Sequence, residues 1–398
     1  MNQFTVPRLH EDPAAGSFVL TYEEIERPVA LADEVWVFLS GGPGESGIQV
    51  GRLEAVEHRL RTELPPEARI VLLDQRGCGE SAPSQHMRCA EIQWNENALV
   101  HPDAMFALLA QQAKETLASW PLDLRSMMIT PWQSARDLGS LADYLGVDRV
   151  NLFAHSYGTH LAFASLKACP DRIGELRLHG CEGPDQTLKW PHAFQSQLYR
   201  LQDIWHDQFL SHLVEVLNRI DDRPFAVRGK NGESLYVGGW GLRWMLTTWM
   251  GLRSRHALVH DVVENLHSGD GMALERAVQG FQKMLARRPA TYYLCDSASG
   301  ISAQRWTGFL MDEVDTILGD AMNFPFPSIR EAWGQVDLGD AYRLPPVADH
   351  VVKIYTGSED CFTPSANVEE VRKGLKNLSH HVGPGFHDDL LLEPRADA

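Results

Sequence analysis

Paired cysteines are missing from this sequence. The six cysteines (78, 89, 169, 181, 295 and 361) are scattered, with no CxxC pair, so neither a disulfide framework nor a dithiol redox motif is expected. Zinc-ligand spacing and an HExxH helix are also missing, which leaves no basis for a metal site. No apolar run is long enough to span a bilayer. The opening MNQFTVPRLHEDP has no basic stretch ahead of an apolar one, so no secretory signal is read and a cytoplasmic protein with reduced thiols is expected. Basic residues are in deficit, 36 Lys and Arg against 53 Asp and Glu, for a formal charge of -17. That balance argues against nucleic acid or an anionic membrane as partner and mildly favours amine-bearing ligands.

What is present is a globular composition with alternating strand and helix signals. A chain of 398 residues can hold one large domain with an insertion, or two domains. Residues 17–28 alternate in hydrophobicity, as an antiparallel edge strand or hairpin does. EVWVFLS (34–40) and Arg69–Leu73 are nearly continuous apolar runs, the pattern of strands covered on both faces. Helices are expected over 48–63, 104–119 and 132–145, followed by a strand at Val150–Phe153, a helix over 159–168 and a strand at Glu175–His179. Helical periodicity dominates from 186 to about 344, where seven of the eleven tryptophans fall. Strands return at His350–Tyr355 and Leu378–Val382, with a helix over 367–375 between them. This alternation predicts an α/β fold with a mostly parallel sheet. It divides the chain into a first core part (1–185), a helical cap (186–345) and a second core part (346–398).

The most informative stretch is RVNLFAHSYGTHLAFASL, where an apolar run breaks at Ala154-His155-Ser156-Tyr157-Gly158 and a helical segment begins at once. Strand, abrupt turn and helix with serine at the apex is the context of a nucleophile elbow. A serine needs a base, and the base an orienting acid. Asp360 follows the strand at 350–355 and His387 the strand at 378–382, so both fall at the sheet edge where Ser156 also lies. Glu359 is the rival acid, ranked lower because Thr363-Pro364 follows Asp360. His380 and His381 are rival bases, but inside a strand their side chains point at a sheet face. The order Ser, Asp, His is that of the α/β-hydrolases. Oxyanion donors are expected at the Tyr157 N–H and, from the glycine loop after strand 34–40, the Gly42 N–H.

GPGESG (42–47) also fits the dinucleotide pattern G-x-G-x-x-G, with Asp74 ending the next strand. Pro43 removes a donor where phosphate would lie, Asp74 comes late, and that reading leaves Ser156, Asp360 and His387 unexplained. The hydrolase reading is therefore preferred.

GGPGESG, DQRGCGES, AHSYGTHLA, GSEDCFTP and the late GFH together resemble the proline iminopeptidase and tripeptidyl aminopeptidase group of α/β-hydrolases, over about 34–185 and 346–390. The resemblance implies a capped α/β-hydrolase fold with Ser156, Asp360 and His387 as nucleophile, acid and base. It implies Gly42 and Tyr157 as oxyanion donors, no cofactor, and removal of N-terminal residues from short peptides. Three positions depart from the group: Ser40 replaces a usual histidine, Ala154 the first elbow glycine, and Glu45 a glycine of the tripeptidyl members. An aminopeptidase needs carboxylates for the substrate ammonium, and Glu182 and Asp296 are the candidates. Asp74 and Arg76 are assigned to holding the DQRG turn, and Cys78 and Cys361 are read as inert thiols near the site. An esterase, lactonase or amidase acting on small metabolites is the alternative, and a catalytically silent binding protein the distant one.

Overall fold

The computed structural model describes residues 1–28, 31, 33–205 and 208–392. The two continuous apolar runs form β3 (Val35–Leu39) and β4 (Arg69–Leu73), and they lie beside each other in the middle of an eight-stranded sheet. Around them are β1 (Asn2–Pro7), β2 (Ser17–Ile25), β5 (Val150–His155), β6 (Ile173–His179), β9 (Ala348–Gly357) and β10 (Leu375–Gly383). The order across the sheet is β1-β2-β4-β3-β5-β6-β9-β10. Only the β1–β2 and β2–β4 pairs are antiparallel; from β4 to β10 neighbouring strands run parallel. This is the expected α/β-hydrolase class of sheet, with β1 added at the edge and β2 one strand further in.

Why these runs are central follows from their two faces. Trp36 and Phe38 of β3, with Phe153 of β5, pack against Val56 and Leu60 of the helix Glu54–Glu63. Val35, Val37 and Leu39 face the other way, into the core shared with the helices Pro131–Leu145 and Tyr157–Ala168. Each fully buried residue of this size contributes about 1.5–3 kcal/mol from water exclusion, so both faces must be apolar.

Four local readings change. The segment 48–63 is two helices, Gly47–Gly51 and Glu54–Glu63, parted at Arg52-Leu53. The helix after β5 starts at Tyr157, immediately after the serine. The helix begun at Asn367 ends at Arg372, and Leu375 already belongs to β10. Between β6 and β9 the chain is mostly helical, but it also carries the hairpin β7 (Phe225–Arg228) and β8 (Ser234–Val237). Its signal was the turn Gly229-Lys230-Asn231-Gly232, where Gly232 sits at φ +86°, between short alternating runs. Residues 206 and 207, inside one of the segments read as helical, lie outside the described residues.

Behind the site, the DQRG turn is locked as expected, and more firmly than a turn alone requires. Arg76 is fully buried. Its Nε and Nη2 donate to Asp137 at 2.7 and 2.5 Å. Nη1 reaches the carbonyls of Arg8 (2.9 Å) and Met128 (2.8 Å), and Nη2 that of Pro7 (3.2 Å). His10 adds a 2.8 Å contact to the same Asp137. One guanidinium thus ties the end of β1, the DQRG turn and the helix Pro131–Leu145 together. Removing one partner of such a pair strands the other charge in the interior. Arg76→Met is expected to cost about 3–5 kcal/mol of unfolding free energy, read as a lower urea midpoint; a loss under 1 kcal/mol would contradict this account.

Candidate active site

Ser156 sits at φ 54°, ψ −125°, the one positive-φ non-glycine residue among those described. A side chain is strained there, so the surroundings must enforce the turn. Ser156 N–H donates to the His179 carbonyl at the end of β6 (2.9 Å). Thr159 Oγ1 donates to the Ser156 carbonyl (2.7 Å) and is shared with that of Gly180 (3.1 Å), and it accepts from the Glu182 N–H (2.8 Å). Gly158 is required by proximity: a Cβ there would lie 2.2 Å from the Leu39 carbonyl oxygen. At position 154 an alanine is tolerated.

The three residues expected to act together are brought together. Ser156 Oγ is 2.9 Å from His387 Nε2, and His387 Nδ1 is 2.8 Å from Asp360 Oδ2. Asp360 follows β9 and also accepts from the N–H groups of Phe362 (2.8 Å) and Thr363 (2.9 Å) and from Thr363 Oγ1 (2.5 Å). Burial alone would raise its carboxyl, but the His387 ring and the bonds from His387 and Thr363 outweigh that and hold it at about 2. Glu359 lies outside this network. His380 bonds to Thr356 (2.8 Å) and His381 stacks on Tyr355, so both rivals belong to the sheet face.

Tyr157 follows the serine in the chain, and Gly42 lines the same cavity as Ser156. Tyr157 is the first residue of its helix, so its N–H has no intrahelical acceptor. The glycine loop lies against the elbow: a Cβ on Gly41 would come 3.2 Å from Ser156 Cβ. Ser40 is buried and donates from Oγ to the Glu45 carbonyl (2.9 Å), closing that loop on itself. Asp74 accepts from Ser46 Oγ (2.6 Å), Ile48 N–H (3.1 Å) and Glu80 N–H (2.9 Å). Its oxygens are committed to joining two loops, which removes the ribose-binding role of the dinucleotide reading.

Ser156 and His387 open on a cavity of about 470 Å³ between the sheet edge and the helical segment, and Glu182 and Asp296 both line it. Glu182 is ion-paired with Lys189. Asp296 is buried, its Oδ1 has no hydrogen-bond partner in the protein, and burial first, then the neighbouring Glu182, raises its carboxyl well above the usual range. Cys78 and Cys361 are free and buried, and burial raises both thiols well above their ordinary value, which suits inert thiols.

Several residues here carried no sequence signal. Lys189, Arg288, Tyr292 and Phe326 reach the cavity from the helical segment. Glu45 also lines it; the side chain remains open to solvent on one side while protein atoms crowd the other, and that crowding raises its carboxyl despite the opposing pull of His387. Thr363 was seen only as a neighbour of Asp360. On the cap, His212, Glu264 and His267 converge with ligand atoms within 4.8 Å of one another. They come from two helices, so no sequence spacing announced them, and they pair as His212–Glu264 (2.9 Å) and His267–Glu215 (3.0 Å).

The sequence model of the family described as alpha/beta hydrolase fold matches residues 35–233, half of the chain. The chain belongs to the alpha/beta hydrolase fold family. A probable proline iminopeptidase of Leptolyngbya boryana is 27% identical over 168 residues, 42% of this chain and 37% of that protein. A 2-hydroxy-6-oxononadienedioate/2-hydroxy-6-oxononatrienedioate hydrolase of Paraburkholderia phymatum is 34% identical over 87 residues, 21% of this chain and 29% of its own length. The chain thus spans well under half the length of these curated relatives. Among solved structures, a thermophilic esterase from Thermogutta terrifontis aligns with TM-score 0.44 at 14% identity, covering 99% of this chain and 94% of that one.

His155, the residue before the nucleophile, gives the site a pH dependence of its own. It is buried, its ring lies 4.9 Å from that of His387, and Nε2 is 3.2 Å from the His387 carbonyl. Burial, then the charge of His387, lowers it to about 3. With the folded value below the ordinary one, the unfolded chain takes up the proton first. Stability from a neutral His155 is therefore complete above about pH 6.5 and is lost as pH falls toward 3; Asp360 adds a loss between its ordinary value, near 4, and about 2. Urea unfolding at pH 7 and pH 4.5 should differ by on the order of 2 kcal/mol in the wild type. The difference should shrink in His155→Phe, and an unchanged slope would remove His155 from this role.

Proposed function

We propose that this hydrolase is a serine aminopeptidase, releasing N-terminal residues from short peptides or amino-acid amides through an acyl-enzyme. One observation carries the reading: Ser156 and His387 share a single cavity with Glu182 and Asp296. Ser156 Oγ attacks the scissile carbonyl while His387 Nε2 takes its proton and then returns it to the leaving amine. Asp360 fixes the imidazole tautomer through Nδ1–H and stabilises the imidazolium. The Gly42 and Tyr157 N–H groups hold the oxyanion. Water then attacks the ester, with His387 as base, and frees the product. Residues 186–345 act as the cap that narrows access and keeps bulk water from the cleft.

For the substrate ammonium, Asp296 is the open partner, because Glu182 already engages Lys189. An ammonium beside Asp296 favours its carboxylate, opposing the rise that burial imposes, and the resulting charge-assisted bond discriminates for a free amine. Glu182 adds long-range attraction from the same wall.

Two measurements test this. A fluorophosphonate probe should label the wild type and not Ser156→Ala; an unlabelled wild type would end the serine-hydrolase reading. Amino-acid and tripeptide anilides with a free amine should exceed their N-acylated forms in kcat/KM by on the order of ten- to a hundred-fold, with Asp296→Asn abolishing most of the preference. Faster turnover of simple aryl esters, with no preference for a free amine, would instead favour the esterase alternative.

A further inference from the structure

The cavity wall holds a cation that the peptidase reading does not use. Among its charged lining residues, Glu45, Glu182, Asp296, Asp388, Lys189 and Arg288, Lys189 is taken by Glu182 and by the Gln186 carbonyl (3.3 Å). Arg288 is different. Its Cζ lies 4.6 Å over the ring of Tyr292, which lines the cavity with it. The buried Tyr293 hydroxyl, outside the cavity lining, meets the guanidinium through a side-chain contact on its inner side. Asp296 is within electrostatic reach, but its Oδ1 accepts no bond from Arg288.

The guanidinium thus lines the cavity without a bond to Asp296 Oδ1, and its backbone is held in place. Ala290 N–H donates to the Met87 carbonyl (2.7 Å) and Thr291 Oγ1 to the Gly77 carbonyl (2.9 Å). Pro289 abuts the glycine loop, where a Cβ on Gly44 would come 2.6 Å from its Cγ. The backbone beside Arg288 is thus fixed to the same loops that position the nucleophile. A guanidinium stacked on an aromatic ring presents a planar fork, which matches a carboxylate. A phosphate dianion would add a second charge facing Glu45, Asp296 and Asp388, so the singly charged, planar anion fits better.

We propose that Arg288 is a carboxylate-recognition subsite of the cleft, selecting substrates that carry a free carboxylate beside the scissile bond. The inference rests on the serine-hydrolase reading but not on the free-amine preference. The carboxylate can come from an acidic side chain next to the scissile bond or from the C-terminus of a very short peptide.

Three matched pairs test it by kcat/KM: glutamyl against glutaminyl p-nitroanilide, a dipeptide acid against its C-terminal amide, and a p-nitrophenyl succinate half-ester against its methyl ester. The first two distinguish the sources, and the third needs no amine. At least one pair should favour the carboxylate by on the order of ten-fold or more. Arg288→Gln should bring that ratio to within about two-fold, with Arg288→Lys in between, because the point charge survives and the fork does not. Wild-type enzyme that labels with fluorophosphonate yet shows no carboxylate preference in any pair would overturn the subsite, and so would a ratio unchanged in Arg288→Gln. Failure of labelling would instead overturn the hydrolase reading beneath it. The wild-type ratios decide the question even where a variant folds poorly.

Discussion

Everything at this site depends on one backbone conformation, the left-handed turn at Ser156. A non-glycine residue there costs of order 1–3 kcal/mol, and the protein meets that cost through bonds and contacts from two strands and one loop. β3 presses the Leu39 carbonyl against Gly158, β6 accepts the Ser156 N–H at His179, and the loop after β6 is stitched to Thr159. The turn brings Ser156 to the cavity and at once begins the helix Tyr157–Ala168. In the proposed mechanism, nucleophile and oxyanion donor are therefore two consequences of one constraint, and relaxing the turn would lose both.

The remaining parts of the constellation arrive by topology. Parallel strands end on the same side, so the loops following β3, β5, β6 and β9 converge without long-range coding in the sequence. Asp360 needs no solvent to stay ionised, because Phe362, Thr363 and His387 surround it with donors. His387 is held by the aromatic edge of Phe362 on one side and the tilted ring of His155 on the other. A neutral His155 also suits the proposed mechanism, since a second charged imidazole beside His387 would oppose the imidazolium formed there.

The legible features were those encoded locally. Continuous apolar runs placed β3 and β4, and a strand-turn-helix with serine at its apex placed the elbow. His387 was separable from His380 and His381 because strand residues face the sheet while loop residues reach its edge. Element ends were less legible: Arg52-Leu53 splits one helix, and Leu375 begins a strand where periodicity continued a helix. The cavity's charged wall was hardest to read. Lys189 and Arg288 are ordinary basic residues in sequence, and only the docking of Thr291 on Gly77 and of Ala290 on Met87 brings the second to the site.

That docking also explains how a cap segment can carry precise chemistry. The helix Ala290–Ser299 is bound at one end to the core loops and at the other to the elbow helix, where Ser299 Oγ lies 3.0 Å and Tyr342 Oη 2.7 Å from His160 Nε2. His160 is itself buried, with Nδ1 3.0 Å from the Gly183 carbonyl. Between these anchors lies Asp296, which lines the cavity with an Oδ1 that finds no partner in the protein. A segment fastened so thoroughly at both ends could have satisfied its middle by a small shift of side chains. Its failure to do so, at a residue that shares the cavity with Ser156, is what the proposed binding wall requires: a group held ready for a ligand cannot also be spent on the fold.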